Sequence, residues 1–214
     1  MTEIFKLFPL CIYKSQLGDE DANLILNYAD EAISPYINSD INGDSQYQTN
    51  PDFFDFFKKI EFHLIEYCKT LGYDTSLFDF YVIRSWINNF NNNSNDTIHK
   101  HSHPFSDISI CYYPTPSLNP ICFENTHKPN EIIPNSYLSN NIMTERNEFN
   151  FNYVQFELNK NDLMLFPSKT YHWVNKYFNE TNRISFSADI ILVLKENITP
   201  FEFNRNPINT WKKI

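Results

Sequence analysis

The sequence predicts one mainly β domain, a β-sandwich or jelly roll with N-terminal helices packed on one sheet. Three observations point there. Helical periodicity is confined to the first third of the chain. From about residue 79, short β-branched and aromatic runs follow one another, separated by Pro/Asn/Asp/Ser clusters. The 214 residues are 42% hydrophobic and 17% aromatic, enough for a single sizeable core.

In chain order, Leu7 to Tyr13 reads as a short extended segment, and Pro9, which has no amide donor, places it at a sheet edge. Asp19 to Ile33 carries apolar residues at helical spacing (Ala22, Leu24, Ile25, Leu26, Tyr28, Ala29, Ile33), with acidic residues at its start. Residues 34–50 are polar and turn-rich. Asp52 to Leu71 is the strongest helix. Phe53, Phe56, Phe57, Ile60, Leu64, Tyr67, Cys68 and Leu71 repeat at three and four, while Lys58, Lys59, Glu61 and Glu66 fall off that stripe. Leu71-Gly72 is its expected stop.

Strands are expected over Phe78–Ile87, Asp107–Tyr113, Pro120–Glu124, Tyr153–Leu158, Asp162–Phe166, Tyr171–Asn175 and Arg183–Leu194. Residues 125–152 form a long polar insert, expected to be a mobile lid. The chain therefore divides into 1–75 (an N-terminal strand and supporting helices), 78–195 (the β core with its insert) and a tail, 196–214. It has no internal repeat.

Composition removes several function classes. The 3 glycines, Gly18, Gly43 and Gly72, stand far apart, so no phosphate-cradling loop can be built. A net charge of -9 argues against a nucleic-acid partner. Met1 to Lys6 does not open a signal peptide, and the run Ile190 to Leu194 is too short to span a bilayer, so no membrane role is expected. Cys11, Cys68, Cys111 and Cys122 lack CxxC spacing and read as buried thiols of a cytoplasmic protein.

Half of the 6 histidines fall in His99-Lys100-His101-Ser102-His103. Residues two apart on an extended segment point the same way, so all three rings can face one side as neutral metal donors. His172, after the Phe166-Pro167-Ser168 turn, is the candidate to complete a site. His63, within a helix, and His127, in the insert, read as structural or solvated. A second constellation lies on Arg183-Ile184-Ser185-Phe186-Ser187-Ala188-Asp189. Arg183, Ser185, Ser187 and Asp189 take one face, and Ile184, Phe186 and Ala188 the other. Arg183 supplies a planar fork for a carboxylate, with Ser185 as a second donor. Lys176 to Asn182 can close a hairpin, which would set His172 and Arg183 on neighbouring strands of one sheet.

In order along the chain, Leu7-Phe8-Pro9, Trp86-Ile87-Asn88, His101-Ser102-His103-Pro104-Phe105-Ser106, Ser109-Ile110-Cys111-Tyr112-Tyr113, Leu165-Phe166-Pro167-Ser168…His172 and Arg183-Ile184-Ser185 resemble the 2-oxoglutarate/Fe(II)-dependent oxygenases, in particular a small bacterial and phage branch. The resemblance implies a double-stranded β-helix holding Fe(II). 2-Oxoglutarate would chelate the iron and pair its distal carboxylate with Arg183 and Ser185. It further implies O2 as reactant, a small-molecule or peptidyl substrate, and succinate and CO2 as products. Asn88 and Tyr112, placed on neighbouring strands, are further candidate contacts for co-substrate or substrate.

Two departures stand out. The wider superfamily uses two histidines and one carboxylate, whereas His103 stands at the carboxylate position here. His101, His103 and His172 are the expected ligands, with Asp107 and His99 as rivals. Ile110 replaces a usual glycine and narrows the pocket. Two alternatives accompany this reading: a cupin-like three-histidine enzyme that uses no 2-oxoglutarate, such as a thiol dioxygenase or hydrolase, and a non-catalytic jelly-roll binding module. The oligomeric state is open, a homodimer included.

Overall fold

The computed structural model describes residues 9–29, 46–90, 98–128, 130, 145, 147–174 and 183–195. Most of the expected 125–152 lid, the 176–182 connection and the whole 196–214 tail lie outside the described residues. Two antiparallel sheets make the body. The first holds β1 (Tyr13–Gln16), β2 (Phe78–Phe90), β4 (Ile108–Tyr113), β7 (Asp162–Pro167) and β9 (Arg183–Leu194), in the order β1-β7-β4-β9-β2. The second holds β3 (Ile98–His101), β5 (Ser117–Glu124), β6 (Tyr153–Leu158) and β8 (His172–Val174), in the order β3-β8-β5-β6. This is the expected mainly β jelly roll, with α1 (Asp19–Ala29) and α2 (Phe54–Thr70) preceding its core.

Strand alternation sorts the side chains into two layers. On β7, Leu163 and Leu165 join the helix-side core, whereas Met164 and Phe166 point between the sheets. On β4, Ile108, Ile110 and Tyr112 meet the helices, while Tyr113 faces inward. On β9, Phe186, Ala188 and Ile190 belong to the helix side, which leaves the polar face of that strand to the interior. The helix stripe read from the sequence, Phe56, Ile60, Leu64, Tyr67 and Cys68, is the buried face of α2.

Phe186 is the centre of this layer. It is fully buried, stacks on Phe53 at 5.8 Å and meets Phe56 edge-on at 5.0 Å. Phe186→Ala is expected to remove about 3–5 kcal/mol of stability, read from the midpoint of denaturant unfolding. The stop at Gly72 is also as expected. Its φ is +85°, its N–H donates to Lys69 O, and Tyr73 N–H donates to Cys68 O, the paired bonds of a Schellman cap.

Two expectations need correction. The first strand begins at Tyr13, not Leu7; among the described residues before it, Pro9 to Ile12 join no ladder. Pro9 cannot donate a ladder bond, and the pairing with β7 opens where the Tyr13 hydroxyl meets His63 Nδ1 at 2.9 Å. The strand does lie at a sheet edge. His63 is structural, as expected. His172 and Arg183 are not on neighbouring strands of one sheet. β8 pairs with β3 and β5, and β9 pairs with β2 and β4, so the two residues belong to opposite sheets. All four cysteines are free thiols. Among the described residues, no helix is long and apolar enough to cross a membrane.

Candidate metal centre

The β3–β8 ladder places His101 directly opposite His172. Directly opposed residues of an antiparallel pair project to the same face, so the two rings meet, 4.4 Å between centroids. His103 follows just beyond the end of β3, and its backbone N–H donates to Ser168 O at 2.8 Å. Its ring lies 5.0 Å from that of His101 and 5.3 Å from that of His172. The three ligand atoms all lie within 4.8 Å of one another.

Each Nδ1 is committed elsewhere. That of His101 lies 2.6 Å from the His99 carbonyl oxygen and that of His172 lies 3.0 Å from the Thr170 carbonyl oxygen. That of His103 lies 2.9 Å from both the Asp189 carboxylate and Arg84 Nη2. A carbonyl oxygen only accepts, so the Nδ1 of His101 and that of His172 carry the proton and their Nε2 atoms carry the lone pair. His103 Nδ1 stands between an acceptor and a donor, and donation to the carboxylate is the arrangement that frees its Nε2 lone pair. His103 Nε2 is buried without a hydrogen-bond partner. An unpartnered buried ring nitrogen beside two more imidazoles is what a borderline metal ion would satisfy. The donor set therefore fits a divalent transition metal.

Burial also holds two of the rings, those of His172 and His101, neutral. Burial, reinforced by the neighbouring His101, pushes the His172 pKa down to about 3. Burial likewise lowers that of His101. Burial raises the Asp189 pKa, but hydrogen bonding and charge from His103 and Arg84 outweigh it and hold the carboxyl below its ordinary value. Arg84 Nε donates to Asp189 Oδ2, and its guanidinium lies over the Trp86 ring, 4.8 Å from the centroid. Trp86 in turn stacks on His103 at 5.7 Å, with 9° between the planes.

The triad opens into a pocket between the sheets, part of it open to solvent. Arg183 lines the same pocket and is only 3% exposed. Its Nε donates to Ser117 Oγ at 3.1 Å, and its Nη1 lies 3.4 Å from Ser185 Oγ. Tyr113 lies beneath the guanidinium, 5.5 Å to the ring centroid. No carboxylate among the described residues pairs with Arg183. Among the described residues this buried guanidinium is held by hydroxyls and meets no counter-charge, which a carboxylate ligand would supply.

Of the residues singled out from the sequence, His101, His103, His172, Arg183, Ser185 and Asn88 line this one pocket. Asn88 Nδ2 donates to Ser185 Oγ and Ser187 Oγ, and its Oδ1 is buried without a partner. Tyr112 is not brought to the pocket. It occupies the helix face of β4, 5.7 Å from Phe56, and its hydroxyl donates to Asn161 Oδ1. Nor do Asn88 and Tyr112 lie on neighbouring strands, since β9 separates β2 from β4. The rivals are placed elsewhere: the Asp107 carboxylate accepts from Leu192 N–H at 2.9 Å, and His99 and His127 are exposed. Ile110 does line the pocket. Sequence reading missed Arg84, Ser117 and Tyr113. Tyr113 was within reach, because it shares the parity of Ser109 and Cys111 on β4.

Residues 84–189 match the family model described as "Putative 2OG-Fe(II) oxygenase". No curated protein matches the sequence. Among solved structures, the chain is similar to the non-heme alpha ketoglutarate dependent epimerase SnoN from nogalamycin biosynthesis. The TM-score is 0.54 at 12% identity, over 84% of this chain and 78% of that one. SnoN in complex with Fe3+, alpha ketoglutarate and nogalamycin RO gives a TM-score of 0.54 at 11% identity over the same shares. These likenesses carry the double-stranded β-helix fold.

Proposed function

The chain belongs to the 2-oxoglutarate/Fe(II) oxygenase superfamily, and from that premise we propose that it oxidises a small-molecule or peptidyl substrate, with succinate and CO2 released. Hydroxylation is the simplest outcome. His101, His103 and His172 hold Fe(II), and Arg183 with Ser185 receives the distal carboxylate of 2-oxoglutarate. Bound iron supplies oxygen activation coupled to oxidative decarboxylation of the keto acid.

The observation that carries this reading is the pairing, in one pocket, of three clustered imidazoles with a buried guanidinium that no carboxylate among the described residues neutralises. The chain's own part is placement. Ser117 and Ser185 hold the Arg183 fork, and Phe166, Val174 and Ile121 wall the pocket against water. Asn88 Oδ1 has an unused lone pair for an N–H or O–H group of the substrate. Three neutral ligands leave the full dipositive charge of the ion to a dianionic co-substrate.

The test is succinate release from purified protein given Fe(II), 2-oxoglutarate and O2. Uncoupled turnover without substrate is the expected result, and its loss in the His172→Ala protein is the control. A second reading is favoured by the cluster that the described residues form, three histidines with no carboxylate among them: a three-histidine metalloenzyme that uses no 2-oxoglutarate. It predicts metal in the protein, no succinate, and no binding of 2-oxoglutarate. The non-catalytic module predicts no metal at all.

A further inference from the structure

We propose that Asp189 is a positioning residue of the metal centre: through His103 Nδ1–H it fixes the third ligand's tautomer and ring plane and returns, one bond out, the negative charge that the ligand set lacks. This rests on the three-histidine reading above.

Asp189 is 1% exposed and sits on β9, opposite Ser109 on β4 and Arg84 on β2. That row across three strands holds the carboxylate from both sides. Ser109 Oγ donates to Oδ1 at 3.0 Å and lies 2.9 Å from Ser168 Oγ; Arg84 Nε donates to Oδ2. His103 Nδ1 lies 2.9 Å from this carboxylate, with Arg84 Nη2 also 2.9 Å away, and its Nε2 is buried with no partner. The ring is clamped a third way by the parallel Trp86 face. His101 and His172 have backbone carbonyls behind them, at His99 and Thr170. Behind His103 the acceptor is a carboxylate.

A carboxylate behind an imidazole makes the distal nitrogen a stronger donor than a carbonyl does, and removal of such an outer partner costs roughly 10–100-fold in metal affinity. Arg84 shares Oδ2 and is itself half exposed. Its Nε holds Oδ2 while Ser109 Oγ holds Oδ1, so both carboxylate oxygens have partners within the chain. The chain thus carries a carboxylate at its metal centre in the outer sphere, where it cannot take up a coordination position.

The test uses the full chain, with Co(II) alone as an anaerobic spectroscopic probe. Wild type, Asp189→Asn, Asp189→Ala, His103→Ala and the His103→Ala/Asp189→Ala double variant are titrated. Asp189→Asn is expected to bind Co(II) about 10-fold more weakly, and Asp189→Ala up to about 100-fold more weakly, with shifted ligand-field bands. In the His103→Ala background the Asp189 change is expected to add nothing, a non-additivity that a merely structural role would not produce. Wild-type affinity and bands in both Asp189 variants, or additive losses in the double variant, would overturn the proposal. Wild-type affinity in His103→Ala would instead overturn the three-histidine reading beneath it. A measurement that needs no variant stands beside these. Nitrogen-15 spectra of the metal-free wild type should show the His103 ring protonated at Nδ1, and protonation at Nε2 would refute the assignment.

Discussion

Replacing His172 by Ala is expected to abolish stoichiometric metal binding. The side chain lies opposite His101 in the β3–β8 ladder, and its Nδ1–H is held by the Thr170 carbonyl, so the ring cannot turn away without breaking that bond. Deleting it removes one of three donors outright. The loss should exceed the roughly 10–100-fold that removing an outer partner costs. The fold should survive. β8 keeps its ladder bonds to β3 and β5, and the vacated space lies at the pocket rather than in the helix-side core around Phe186. The check is an anaerobic Fe(II) or Co(II) titration of the variant beside His127→Ala, an exposed histidine whose replacement should leave binding unchanged. Tight stoichiometric binding by His172→Ala would remove the residue from the centre.

How much of this was legible depends on how local each signal is. The alternation on β9 could be read because both of its faces are demanding: Phe186, Ala188 and Ile190 must meet the helices, so Arg183, Ser185, Ser187 and Asp189 must share the other side. The α2 stripe was legible for the same reason. The partnership of strands was not. Ten residues of separation between His172 and Arg183 suit either a hairpin or a passage between sheets, and the choice is made by long-range pairing to β3, β5, β2 and β4. Both arrangements bring the two side chains to one cavity, so the site could be anticipated from a mistaken topology.

Tyr112 shows the opposite failure. An aromatic beside a polar run looks like a binding residue, but its parity with Ile108 and Ile110 sends it to the helices, and Tyr113 takes the place under Arg183. Arg84 was hidden by the register shift between Val82 and Arg84, which resets the parity of β2 just before the residues that matter.

Arg183→Ala should separate the two halves of the site. The guanidinium is buried and, among the described residues, is held by the hydroxyls of Ser117 and Ser185, over the Tyr113 ring. Without it the far end of a bound keto acid loses a charge-assisted fork and keeps only hydroxyl donors. Truncating one partner of a buried charged pair costs about 2–5 kcal/mol, or roughly 30- to several-thousand-fold in 2-oxoglutarate affinity. Arg183→Lys should fall between, because an ammonium keeps the charge but cannot match both carboxylate oxygens. Metal binding should change little in either variant, since Arg183 makes none of the hydrogen bonds that set the three imidazoles. Deleting a buried cation that pairs with no carboxylate among the described residues should also leave the folded chain no less stable, and thermal unfolding of the metal-free proteins reads that directly. Calorimetric titration of 2-oxoglutarate into the metal-loaded proteins decides the assignment. Equal affinity in wild type and Arg183→Ala would mean that the guanidinium serves another anion, and the counter-charge it lacks would then belong to the substrate.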